Sequence, residues 1–161
     1  MRITENLGND ARLRAMPVIV IGADTPSGRE IIERLLSPDR EVRAFVTDPD
    51  TAESLRGMGV KVALGDVSDD SHIAGACLNC FSAVLVTEAA ADHRQRSFAP
   101  TPHQVLQGWS RAVQSAAVRR VIWVAGDDPV PETAIAEVAT VDRSRPDLAE
   151  AVYALDQAAH I

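Results

Sequence analysis

Five short runs of Val, Ile, Leu and Ala punctuate the chain: "PVIVIG" (17–22), "EVRAFVT" (41–47), "VKVALG" (60–65), "SAVLVT" (82–87) and "RVIWVA" (120–125). Runs that stay apolar, without the alternation of a half-exposed strand, predict strands covered on both faces. Between them lie helix-length segments at about 27–36, 50–58, 69–79 and 103–117, with a last one near 147–159. Strand and helix alternating through short links predict an α/β fold, a three-layer doubly wound parallel sheet of the Rossmann-like kind with strand order 3-2-1-4-5. Two stretches break the rhythm. Residues 1–15 are polar and carry no strand pattern, and "EAAADHRQRSFAPTPH" (88–103) exceeds the usual connection length at a strand's carboxyl end.

Met16 followed by "PVIVIG" resembles a chain start. The expected organisation is therefore an N-terminal arm over 1–15, either a tail or a contact to a neighbouring subunit, and a single domain over 16–161. A length of 161 residues suffices for one substantial core. The net charge of −7 disfavours a nucleic-acid partner, and no apolar run approaches a membrane span. Two cysteines, Cys77 and Cys80, fit a reducing compartment, so a cytoplasmic location is expected. Their Cys-Leu-Asn-Cys spacing has redox form, but it closes a helix before a buried strand, so packing is the favoured role. No metal site is expected.

In an open parallel sheet, ligands lie beyond the carboxyl ends of the strands, and the first strand-to-helix turn carries the phosphate site. That turn reads "GADTPSG" (22–28). The middle position, where a backbone must approach a diphosphate, is Thr25, and Pro26 after it lacks an N–H to offer. Losing one charge-assisted phosphate bond costs ~1.5–3 kcal/mol, about ten- to a hundredfold in affinity. The alternative reading of the same residues is a good helix start, Thr25 as N-cap and Pro26 at the first helical position.

The turn, with "VRAFVTDPD" at the second strand, "GVKVALGDVSDDSHIAGA" around the third and "AAVRRVIWVAG" at the fifth, resembles the atypical, NmrA-like branch of the short-chain dehydrogenase/reductase superfamily. The resemblance runs from Pro17 to about residue 125. It implies an NAD(P)-binding Rossmann domain in which Gly22 makes the tight turn, Gly28 lets helix and strand pack closely and Asp66 reads the adenine. The candidate cofactor contacts are Gly22, Thr25, Ser27, Gly28, Asp48, Asp66 and Thr87. Where NADP-binding members carry a basic residue at the end of the second strand this chain has Thr47 then Asp48, so NAD is favoured over NADP and binding is expected to be weak. Asp48, about twenty residues past Gly28, either accepts hydrogen bonds from a ribose or serves as a turn residue before Pro49.

The wider superfamily's chemistry uses a tyrosine and a lysine four positions later, the charge lowering the phenol's pKa. Here the sole tyrosine, Tyr153, is followed at that spacing by Gln157, and the sole lysine is Lys61. The serine after the fifth strand is replaced by Ala125 and Gly126. No catalytic residue is therefore assigned. The resemblance also leaves no sequence for the further strands of full-length relatives, which implies a half-built substrate pocket. His93, Arg94 and Arg96 form a basic cluster on the long loop, read as a solvated loop, with an anionic ligand or partner as the alternative. Leu106, Trp109, Val113 and Ala117 recur at helical spacing and are expected to face the sheet, with a dimer surface as the second reading.

These readings converge on an NAD(P)-binding-like protein related to NmrA-like reductases that has lost catalysis. It would act as a weak nucleotide sensor or a protein-interaction subunit, in a homo- or hetero-oligomer. A compact NAD(P)H-dependent oxidoreductase or isomerase is one alternative, and a purely structural subunit without nucleotide is the other.

Overall fold

A computed structural model of the chain describes residues 15–161. The arm expected over 1–15 lies outside the described residues except for Ala15. The elements are β1 (Val18–Ile21), α1 (Pro26–Leu35), β2 (Val42–Val46), α2 (Pro49–Gly57), β3 (Lys61–Leu64), α3 (Asp70–Ala76), β4 (Ser82–Val86), α4 (Glu88–Ala91), α5 (Pro102–Ser115), β5 (Arg120–Ala125), β6 (Glu137–Asp142) and α6 (Leu148–Gln157). Six parallel strands line up as β3-β2-β1-β4-β5-β6. The predicted order of the first five strands holds, and chain order reverses between β1 and β4, which pair with Val18 beside Ser82.

Alternate residues of each central strand feed two cores. Val18, Val20, Ala44, Val46, Val84 and Val86 pack under α1, α2 and α6. Ile19, Ile21, Phe45, Leu85, Val121 and Trp123 pack under α3 and α5. Leu106, Trp109 and Val113 face that second layer as expected, and the Trp109 indole donates to the Val67 carbonyl at 2.8 Å. Ala117 does not: it lies past the end of α5, exposed, with a φ of 56°.

Two expectations need correcting. β3 is not buried on both faces, because it forms one edge of the sheet with Lys61 and Leu64 exposed. Further strand sequence is also present. Residues 137–142 pair parallel to β5 from Arg120 beside Glu137 to Ala125 beside Asp142. β6 escaped notice because its burial alternates, with Val138 41% exposed, and an edge strand with one solvated face shows no continuous apolar run.

β6 and α6 are locked on by charge. Arg120, fully buried at the amino end of β5, donates to Glu137 at 3.0 Å and to the carbonyls of Leu155 (2.8 Å), Asp156 (3.0 Å) and Ala158 (2.7 Å) at the end of α6. A second buried pair, Arg40 with Asp156, ties the same helix end to the α1–β2 connection. Replacing Arg120 by Met strands Glu137 and three helix-terminal carbonyls in the interior. We expect Arg120→Met to lose about 3–5 kcal/mol of stability in denaturant unfolding, the usual cost of removing one member of a buried pair. A loss under about 1 kcal/mol would show that α6 docks without this anchor.

Candidate functional site

The first turn is built around close approach. Gly22 has a φ of 89°, and a Cβ there would lie 2.8 Å from that of Ala89. A Cβ on Gly28 would come 2.1 Å from the Gly22 carbonyl oxygen, so only glycine lets α1 settle on β1. Thr25 is buried. Its hydroxyl donates to the Gly22 carbonyl at 2.6 Å and accepts the Gly28 N–H at 3.0 Å, stitching the two glycines together. The helix-cap reading of Thr25 and Pro26 thus describes the local structure. The cap consumes donors that an anion would use. Pro26 has none, Gly28 is taken, and the Arg29 N–H bonds the Thr25 carbonyl, so within the opening turn of α1 only the Ser27 N–H has no partner among the described residues. The Ser27 hydroxyl donates to the Glu88 carboxylate at 2.6 Å, which places an acid beside that N–H.

Asp24 ties two strand ends together. Its side chain is 1% exposed, and Oδ2 accepts the N–H groups of Thr47 at 2.9 Å and Asp48 at 3.2 Å, joining the carboxyl ends of β1 and β2. The same oxygen pairs with Arg94, while Oδ1 is buried without a hydrogen-bond partner among the described residues. Arg94 also pairs with Asp92, and Arg96 holds Asp92 and the Ala89 carbonyl. The solvated-loop reading of this cluster is therefore overturned for both arginines, because carboxylates on the strand ends and at the loop's own base capture them.

Loop 92–101 then crosses to β3. Asp66 accepts the Ser68 N–H (2.8 Å) and hydroxyl (2.6 Å) on one oxygen and the Ser97 N–H (2.7 Å) on the other, and the Phe98 N–H donates to the Ser68 hydroxyl at 3.0 Å. Burial alone would raise the pKa of Asp66, but these bonds outweigh it and hold the carboxyl below the usual range. Asp48 caps α2, with its carboxylate accepting the N–H (3.0 Å) and hydroxyl (2.6 Å) of Thr51, and these bonds lower its pKa. The turn-residue reading of Asp48 accounts for its contacts.

At the other end of the crevice, the Thr87 hydroxyl donates to the Val124 carbonyl at 3.2 Å and lines a cavity of about 440 Å3 with His103, Leu106, Gly126, Asp128 and Arg143. The Arg143 guanidinium lies against Gly126, 3.2 Å from where a Cβ would be. Tyr153 and Lys61 are elsewhere. Tyr153 sits on the α1 side with the Arg34 guanidinium 3.4 Å over its ring, and Lys61 pairs with Glu41 at the amino end of β3. Glu88, Ser97 and Arg143 are the site residues that sequence reasoning missed, because their places depend on the loop path and on β6.

A parallel sheet whose crevice opens at a reversal of chain order, with a glycine-framed turn at the first helix, defines a Rossmann-like dinucleotide-binding domain. Residues 22–155 match the NAD(P)H-binding family, and the chain belongs to it. This bears out the resemblance to the NmrA-like branch. The fold is shared with an anaerobillin reductase from Escherichia coli O157:H7 (24% identity, TM-score 0.53, covering 68% of this chain and 50% of that one). It is shared as well with the Citrobacter sp. triphenylmethane reductase solved with NADP(H) (18%, 0.56, 68% and 37%). A third example is an NADPH-dependent quinone oxidoreductase from Escherichia coli (20%, 0.55, 68% and 36%). The chain spans half or less of the length of these structures. No curated protein matches it.

Among the described residues no group of three or more His, Cys, Asp or Glu is placed to hold a metal ion, and no helix is long and apolar enough to cross a membrane. Cys77 and Cys80 are buried and unpaired. Burial pushes their thiols up to about 12 and about 11 respectively. Both should therefore stay protonated at pH 8 and react slowly with iodoacetamide in the folded protein, then rapidly in guanidinium. Fast alkylation of the folded protein would show that the helix end opens readily.

Proposed function

We propose that this domain binds a nicotinamide dinucleotide weakly and reports its presence through loop 92–101, without proton-transfer residues of its own. The observation that carries this reading is the seating of the loop. Arg94 on Asp24 and the Ser97 N–H on Asp66 occupy the strand ends where an adenosine would lie. A nucleotide must therefore exchange its own contacts for those of the loop. Such a competition both lowers affinity and converts binding into a change of loop position, which is what a sensor needs. The acids around the turn, Asp24, Glu88 and Asp92, weaken diphosphate binding further.

NAD remains the favoured partner, because Thr47 supplies no cation for a ribose phosphate and Asp24 Oδ1, buried without a partner, can accept a ribose hydroxyl once the loop is displaced. A reporting loop acts on another protein or a second copy, so a homo- or hetero-oligomer is the expected working form. Unpaired buried thiols suit the cytoplasm. The competing reading, a compact NAD(P)H-dependent oxidoreductase or isomerase, draws on the cavity beside Thr87 and on the reductase activities named for the structural neighbours.

The test is the sign of one substitution. In calorimetric titration with NADH, Arg94→Ala should tighten binding several-fold, because it removes the loop's anchor. Hydrogen exchange at the Ser97 and Phe98 amides should accelerate when NADH binds the wild type. Weaker binding by the variant, or slower exchange, would make Arg94 a ligand contact and overturn the displacement reading. NADH-dependent quinone reduction at turnover rates would favour the enzyme.

A further inference from the structure

The first turn has given up most of its capacity to hold an anion, yet one cation at the crevice has no acidic partner. Arg143 follows β6 directly, and its backbone N–H bonds the Ala125 carbonyl at 3.0 Å. Its side chain takes no part in the ion pairs among the described residues, whereas Arg145 two positions on is held by Asp147 at 2.9 Å. Two spaces meet at Arg143. One is the cavity of about 440 Å3 at the ends of β4 and β5. The other is an open groove of about 470 Å3 lined by Ser27, Glu88, Asp92 and Ser144. Ala91 and Arg143 border both, so Arg143 lines the groove that Ser27 lines as well as the cavity walled by Leu106, Pro102 and Pro129.

Gly126 gives it room. A Cβ there would lie 3.2 Å from the guanidinium carbon, so a side chain at this position would oblige Arg143 to shift slightly from its place over the strand end. Glu88, Asp92 and Asp128 line the same spaces, so the cation is set among acids it does not bond. An arginine so placed offers a forked pair of donors to an oxyanion and can replace donors lost from a helix start.

We infer that Arg143 is the oxyanion-binding residue of this crevice, holding a phosphate or carboxylate group of a small ligand whose apolar part fills the cavity beside Thr87 and Gly126. The inference rests on the nucleotide reading above only for the phosphate source. A carboxylate-bearing ligand in the cavity uses the same chemistry.

Titrations of wild type, Arg143→Ala and Arg143→Lys with NADH, nicotinamide mononucleotide, adenosine and benzoate separate the cases. The exposed, unpaired side chain predicts unchanged thermal stability in both variants. With the dinucleotide as source, Arg143→Ala weakens NADH and the mononucleotide by ~10- to 100-fold, Arg143→Lys recovers part of that, and adenosine is unaffected. With a carboxylate as source, benzoate alone shows the loss, which equally supports the assignment. Unchanged affinity for every probe the wild type binds overturns the role of Arg143 and leaves the nucleotide reading standing. A wild type that binds none of the four overturns both.

Discussion

The carboxyl edge of the sheet is organised around one buried carboxylate. Asp24 takes two backbone N–H groups from the end of β2, which fixes the first turn against the neighbouring strand, and it takes Arg94 from a loop seventy residues away. An uncompensated buried charge is strongly unfavourable, so this acid needs its donors. The Thr47 and Asp48 amides are fixed by the sheet. Arg94 is the donor that the sheet does not supply, and the course of loop 92–101 brings it to Asp24. Glu88 and Asp92 repeat the logic on a smaller scale, the former engaging Ser27 and the latter gathering both loop arginines.

The layered fold was legible because burial on both faces writes itself as unbroken apolar runs. β1, β2, β4 and β5 are covered on both sides and stood out in the sequence. β6 was not legible, since one of its faces is solvated and its pairing with β5 rests on backbone bonds and on Arg120 with Glu137, which leave no composition signal. Gly22, Thr25 and Gly28 were readable at the site because local sterics and capping act within a few residues. The roles of Arg94, Ser97 and Arg143 were not. Each depends on where a loop or an edge strand returns to the crevice, and a linear pattern carries no distance of that kind.

The first turn shows how the exchange of one glycine alters a site without altering the fold. With glycine at position 25 the backbone could approach a diphosphate, but nothing would bridge the Gly22 carbonyl and the Gly28 amide. Threonine supplies that bridge through a single hydroxyl that both donates and accepts. A cap of this kind is worth about 1 kcal/mol. The turn has gained stability in its own right at the expense of donors pointing outward, and proline at the next position deepens the same trade.

The two ends of the crevice differ in kind. At the Asp24 end the carboxylates already take protein donors, Oδ1 of Asp24 excepted, and on the proposed reading a nucleotide must replace those bonds group for group. Exchange of that sort contributes little net free energy, because bonds made are offset by bonds broken. At the other end a partly apolar cavity and an unpaired guanidinium have no internal substitute. On the proposed reading, binding free energy is therefore concentrated there, where apolar area and charge are both unspent. A ligand bound as proposed engages the Thr87–Gly126–Arg143 end first, and only one long enough to reach Asp24 disturbs the loop, so length more than base identity sets which ligands displace it.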